Sequence, residues 1–364
     1  MGHRRDVATL SRASAPVAPL PLVGRTAELA MLRRVLDEAA SSRGRTVVLH
    51  GEPGIGKTRL VQETVERAGA RGWTTAIGRA YPVETGMPYA PFADALVPLL
   101  QRYDRAALAT LTRGGGELAQ LFPVLASHED APRGLRDTLG ASPAELKARL
   151  LWNFTQFLTR LAAKHPVLLV LENLQWADAS SIELLHFTAR QIGTAPIVLL
   201  CTYSDAERDH STALRQAEQS LLSLGAAASH QLEPLPRAAV DELLSQMFKA
   251  GESTREFAAL LYGWTRGNPF FVEETLKALV ESGRLWQRDG RWMGWEMAEM
   301  GLPRSVRDAV TARVQQLGPS ARVLAEVTAV LGTRATFGQL RQTVERTVGL
   351  GTNRQIQFAL RLNF

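Results

Sequence analysis

The chain has 364 residues, 45% apolar and 21% charged, too long for one ordinary domain and apolar enough to bury a sizeable core. Lys plus Arg is 42 against 36 for Asp plus Glu, a formal net of +6 that permits contact with nucleic acid or anionic lipid and specifies neither. The single cysteine, Cys201, excludes a disulfide framework and a Cys-rich zinc site.

In chain order, residues 1–19 are rich in Ala, Pro, Ser and Arg without periodicity and read as a flexible tail. Leu29, Met31, Leu32, Val35 and Leu36 then predict an amphipathic helix. Arg45–His50 is a short β-rich run followed at once by glycines and a helix. Further strands are predicted at Trp73–Ile77, Val167–Leu171 and Ile197–Cys201, with a fifth near Gln231 and Leu232. Continuous apolar strands alternating with helices indicate an α/β fold with a parallel five-stranded sheet between helices. The stretch from about 90 to 164 is mostly helical, broken at Arg113–Gly116, and Leu150, Leu151, Phe154, Phe157, Leu158 and Leu161 mark one helix face. After Pro234 only helices follow to about residue 283. Asn268-Pro269 reads as a helix start and Gly283 as a stop. Asp289-Gly290 reads as the turn of a short hairpin, and helices resume at Val306–Leu317 and Ala321–Leu331.

The strongest motif is Gly51-Glu52-Pro53-Gly54-Ile55-Gly56-Lys57-Thr58, a full G-x-x-x-x-G-K-[ST] phosphate-binding loop between a strand and a helix. Glycines let backbone N–H groups curl around a phosphate, and the helix N-terminus adds its positive dipole end. The expected nucleotide-binding residues here are Gly51, Gly54, Ile55, Gly56, Lys57, Thr58 and Arg59. Lys57 is expected to reach the β- and γ-phosphates, and Thr58 to offer its hydroxyl to Mg²⁺.

The strand Val167–Leu171 runs into Glu172-Asn173-Leu174-Gln175-Trp176-Ala177-Asp178. A carboxylate after an apolar strand, paired with an upstream phosphate loop, is the Walker B position, so Glu172 is the second expected metal residue. Glu172 and Asn173 are the expected catalytic pair. Asn173 stands where a catalytic carboxylate is usual; an amide orients water but does not take its proton, which predicts slow hydrolysis rather than none. Asp178 is a candidate cap for a helix from Ala179. Trp176 reads as packing in preference to base stacking, Cys201 as inert, and His50 and His186 as packing residues.

Four segments in this order carry a resemblance: Leu22–Glu28, the loop ending Gly56-Lys57-Thr58-Arg59, Gln175–Asp178, and Gly267-Asn268-Pro269-Phe270-Phe271-Val272-Glu273-Glu274. The chain resembles the STAND-type AAA-like P-loop ATPase module of large LuxR-family (MalT-like) regulators and related multidomain adenylyl cyclases and kinases, over about residues 20–340. The resemblance implies ATP/ADP and Mg²⁺ as ligands. It places Val23, Gly24 and Arg25 near adenine and phosphates, and Pro269 in a lid motif against the base. It also implies nucleotide-driven self-association or a protein partner. It divides the chain into a tail (1–19), a P-loop nucleotide-binding domain (20–235), a helical lid with hairpin (236–300) and a partial winged-helix-like segment (301–364). Two departures concern the site. Asn173 breaks the usual acidic pair, and Ser204 stands where the family carries an arginine after Thr202-Tyr203. A third concerns extent: Gly349–Phe364 does not continue the family pattern, so the chain reads as a truncated or decayed relative or a stand-alone module.

Three functions compete on the sequence. The first is an ATP-dependent regulatory switch, from or acting with a signal-responsive transcriptional regulator. The second is a nucleic-acid-handling ATPase similar to origin-recognition AAA proteins, disfavoured because no basic stripe interleaves with aromatics, so DNA binding by this chain alone is not expected. The third is a decayed nucleotide-binding protein without catalysis. No apolar run approaches the roughly 20 residues of a membrane helix, and the basic N-terminus lacks an apolar signal core, so the expected compartment is the cytoplasm.

Overall fold

The computed structural model describes residues 21–82, 87–113, 116–122, 125, 142–248, 252–281, 284–288, 291–293 and Arg322. The expected tail, the Gly283 stop, the Asp289-Gly290 turn and the helices and winged-helix-like segment after residue 301, apart from Arg322, lie outside them. Two compact units are distinguished: Leu20–Leu244 with Thr265–Phe270, and Ser245–Trp264 with the residues from Phe271 on.

The first unit is built on five parallel strands, β1 (Arg45–Gly51), β2 (Thr74–Arg79), β3 (Val167–Glu172), β4 (Ile197–Ser204) and β5 (Ala227–Gln231), in the order β2-β3-β4-β1-β5. Every residue of β3 and β4 is buried, as continuous apolar runs require in a sheet covered on both faces. Period-two alternation divides their side chains. Leu168, Val170, Val198 and Leu200 join Val47 and Leu49 in a core with Leu32, Leu36, Leu60 and Val61. Those last four belong to α1 (Thr26–Ala40) and α2 (Lys57–Ala70). Leu169, Leu171, Leu199 and Cys201 face the opposite core, with α3 (Ala90–Leu100), α4 (Arg105–Leu111), α5 (Pro143–Leu161), α6 (Ala179–Gln191) and α7 (Thr212–Ser223). There Phe92, Phe154 and Phe157 are fully buried, and Phe92 meets Phe154 edge-on at 5.2 Å.

All six predicted apolar positions of α5 are buried. Its start is a capping box: the Ser142 hydroxyl accepts from the Glu145 N–H, and the Glu145 carboxylate accepts from the Ser142 N–H at 2.7 Å. Those bonds to Ser142 hold the Glu145 carboxyl below its ordinary range.

Strand ends differ from the sequence expectation by one residue in β1 and β3 and by more in β2, β4 and β5. β2 runs on to Arg79, and β4 continues past Cys201 to Ser204, so Cys201 lies inside the strand. Burial pushes its thiol up to about 12, which keeps it protonated. β5 spans Ala227–Gln231 and stops before Leu232; it is a polar edge strand, so the apolar pattern does not mark it.

In the first unit α8 (Arg237–Met247) begins after Pro236, and α9 (Glu252–Thr265) ends there. α10 (Pro269–Glu281) starts at the predicted proline. In the second unit β6 (Trp286–Arg288) and β7 (Arg291–Met293) pair antiparallel, as the predicted hairpin requires. Among the described residues no helix is long and apolar enough to cross a membrane.

Candidate functional site

Parallel strands bring their carboxyl ends to one edge, and the register fixes which residues meet there. Gly51 pairs with Ser204, and Arg79 pairs with Glu172. In open α/β sheets that edge is where ligands bind, and here the connections leaving the neighbours β1 and β4 run in opposite directions along the sheet.

The phosphate loop leaves β1 at Gly51 and re-enters regular structure at Lys57, the first residue of α2. Ile55 is fully buried and pins the loop to the core, while its N–H closes a turn on the Glu52 carbonyl at 3.3 Å. The α2 N-terminus therefore faces the cradle. Lys57 Nζ donates to the Gly51 and Glu52 carbonyls, both at 2.9 Å, so the ammonium lies across the mouth of the loop. Arg59 is exposed one residue beyond Thr58.

Thr58 Oγ1 donates to Glu172 Oε1 at 2.8 Å, although 114 residues separate the two in the chain. The structure thus joins the two predicted metal residues directly. A hydroxyl and a carboxylate are hard oxygen donors, the set that Mg²⁺ takes together with waters and phosphate oxygens. Glu172 is 1% exposed, so it is not the solvated strand end that a surface carboxylate would be.

The AAA ATPase domain family matches residues 21–201, which takes in the loop, Thr58, Glu172 and Asn173. Residues 21–201 are an AAA ATPase domain. A protein of Rhizobium meliloti (strain 1021), itself uncharacterised, is 25% identical over 345 residues. The match covers 88% of this chain and 30% of that protein, so the chain spans under a third of the relative's length. Among solved structures, the Aeropyrum pernix ORC1 protein in complex with DNA aligns at 16% identity and TM-score 0.44, over 94% of this chain and 83% of that one. Drosophila ORC bound to DNA aligns at 13% and 0.46, covering 100% and 87%. AMPPCP-bound DnaA from Aquifex aeolicus aligns at 16% and 0.43, covering 94% and 85%.

Around the AAA domain's loop the other predicted residues take distinct places. Val23 is buried, and Gly24 packs against Ala239 and Leu235. Arg25 is 4% exposed; its guanidinium donates to the Ile55 carbonyl at 2.9 Å and the Glu233 carbonyl at 2.8 Å, and pairs with Glu28 at 3.0 Å. That side chain braces the phosphate loop from behind and ties it to the segment after β5.

The Gly267–Phe270 motif lands on the same loop. Asn268 Nδ2 donates to the Pro53 carbonyl at 3.2 Å, and the Phe270 N–H donates to the Gly54 carbonyl at 3.1 Å. Asn268 Oδ1 also accepts from the Phe270 N–H at 3.1 Å, so this residue caps α10 and grips the loop together. Contact is close enough that a Cβ on Gly54 would sit 2.7 Å from Phe270 Cβ. Gly54 also has φ +78°, a left-handed conformation open to glycine at little cost.

Asn173 adopts the left-handed conformation (φ 62°, ψ 41°), which Asn tolerates better than most residues, and turns the chain from β3 into a 3₁₀ turn at Leu174–Trp176. Its N–H donates to Thr202 Oγ1 at 3.2 Å. Ser204 offers no cation: its Oγ is buried with no protein hydrogen bond among the described residues, and its N–H donates to Gln175 Oε1 at 3.1 Å. Trp176 is half-buried. Asp178 does cap α6, accepting from the Ser180 and Ser181 N–H groups, and it also accepts from the Tyr89 N–H at 3.2 Å. His50 is more than packing: its ring stacks on Tyr203 at 5.1 Å, and Nδ1 meets Asp205 Oδ1 at 2.8 Å. His186 Nε2 meets Ser220 Oγ at 2.9 Å.

The residue that sequence reasoning missed is Arg79. Its Nε donates to Glu172 Oε2 at 2.8 Å, and that bond holds the guanidinium above its already high ordinary value, against partial burial. The available signal was a cation ending a strand whose neighbour in the sheet ends in a carboxylate. Using it requires knowing that β2 pairs with β3.

Proposed function

We propose that this chain is an ATP-binding regulatory switch module that hydrolyses its nucleotide slowly. The observation that carries the reading is the double contact of Asn268 and Phe270 with the carbonyls of Pro53 and Gly54. It ties the first turn of α10 to the phosphate loop, so a change in the loop bears directly on the start of that helix. The order of motifs supports the finer assignment, a STAND-type module of LuxR-family regulators, with self-association or a protein partner reading the switch.

The chain's own residues divide the work. Backbone N–H groups of Gly54 and Gly56–Thr58, at the start of α2, receive the phosphates. Lys57 exchanges its two carbonyl acceptors for phosphate oxygens, a stronger charge-assisted pairing. Thr58 and Glu172 would hold Mg²⁺, which when bound neutralises charge on the phosphates. Arg25 keeps the loop in shape without leaving its carbonyl partners, and Val23, Gly24 and Pro269 would line the base side. Asn173 orients the attacking water. Because its amide is no base, hydrolysis depends on positioning and charge alone, and is slow.

Equilibrium binding of Mg-ATP to the full chain and to Lys57→Ala tests the reading. Loss of binding in the variant is expected; equal affinity in the two proteins overturns the assignment of the loop.

A further inference from the structure

The corner around Glu172 holds a cation that the reading above leaves without a part. One carboxylate oxygen accepts from Thr58 Oγ1 and the other from Arg79 Nε, each at 2.8 Å. The Glu172 side chain is 2% exposed and that of Arg79 41%. A carboxylate so deeply buried is costly unless a positive charge accompanies it, and in this structure Arg79 is that charge. The same carboxylate is the one expected to share Mg²⁺ with Thr58. Two cations bonded to one carboxylate would repel each other at close range.

We propose that Arg79 competes with Mg²⁺ for Glu172, so that the site is loaded with metal by exchanging one cation for another. The local anchoring suits such an exchange. The Arg79 N–H donates to Asp94 Oδ2 at 2.9 Å, and the Ala80 N–H donates to the Glu172 carbonyl at 3.0 Å. The backbone is therefore held at both residues, while the long, partly exposed side chain can turn to solvent. Arg79 is a positioning residue: it keeps the buried carboxylate neutralised and aimed at Thr58, and it lowers the dependence of nucleotide binding on Mg²⁺.

This inference rests on the nucleotide site proposed above, and one experiment separates the two. ADP is titrated calorimetrically into the full chain in Mg²⁺ and in EDTA, for the wild type, Arg79→Gln and Arg79→Lys. The quantity read is the ratio of the dissociation constants, EDTA over Mg²⁺. Arg79→Gln should raise that ratio about two- to fivefold, the scale of a partly exposed ion pair, chiefly by weakening binding in EDTA. Arg79→Lys should stay near the wild type. Arg79→Met, which keeps the aliphatic stem, carries the same expectation as Gln should the Gln variant not fold. A ratio unchanged in the neutral variants, including equal weakening under both conditions as a purely structural role would give, overturns the competition. Wild-type protein that binds no ADP in either condition overturns the nucleotide reading itself, and the competition with it.

Discussion

The phosphate loop and the Glu172 corner lie at the same sheet edge, yet they are built in opposite ways. The loop is eight contiguous residues shaped by backbone bonds, with Ile55 as its anchor in the core. The Glu172 corner is gathered from four places: Thr58 on α2, Arg79 ending β2, Glu172 ending β3, and Thr202 on β4 behind Asn173. Its geometry depends on sheet register, in particular Arg79 opposite Glu172. A local motif thus fixes the shape of the loop. Long-range pairing decides what charge surrounds it.

The comparison sharpens or breaks on four expected outcomes beyond the Arg79 test. Lys57→Ala should have the largest effect, weakening Mg-ATP binding by about 100-fold or more, since charge-assisted contacts to phosphate are lost at the mouth of the loop. Asn173→Asp should come next. Asp also tolerates the left-handed conformation, so the fold should survive, and a base beside the water should raise single-turnover hydrolysis about tenfold or more. No gain would place the deficit elsewhere, with Ser204 the first candidate. Gly54→Ala should weaken ATP binding about tenfold and lower the melting temperature, because a left-handed alanine costs roughly 1–2 kcal/mol and its Cβ meets Phe270. An unaffected variant would mean that the grip of α10 on the loop is loose.

The smallest effect concerns the rim of the fold. Burial, with Arg190 nearby, holds the His186 imidazole below its ordinary value of 6.5. The unfolded chain therefore binds more protons, and this contribution to stability is present above about pH 6.5 and lost as the pH falls. The melting temperature should drop between pH 7.5 and 5.5, and His186→Gln should drop less. Equal slopes would remove His186 from the account.

What was legible in the sequence follows the same division. Apolar runs announced β1, β3 and β4 because both faces of those strands are buried, and the spacing of Leu150 to Leu161 marked the core face of α5. The Asn268-Pro269 start and the Asp178 cap were readable because capping chemistry is local. β5 lies where the fifth strand is expected, ending at Gln231, but its extent is not legible, because an edge strand reading Ala-Ala-Ser-His-Gln carries no apolar signal. At the site, Lys57, Thr58 and Glu172 stood out by motif. The brace from Arg25 to the Ile55 and Glu233 carbonyls and the Arg79–Glu172 pair did not, since each joins residues brought together only by the fold.

The central claim, a nucleotide switch with slow hydrolysis, is tested most directly by a single-turnover assay with labelled Mg-ATP and excess protein, with Lys57→Ala as control. The account predicts that the wild type retains label and converts it slowly to ADP, while the variant retains none. Label retained only as ATP would contradict the hydrolysis, and no retention by the wild type would contradict the nucleotide site altogether.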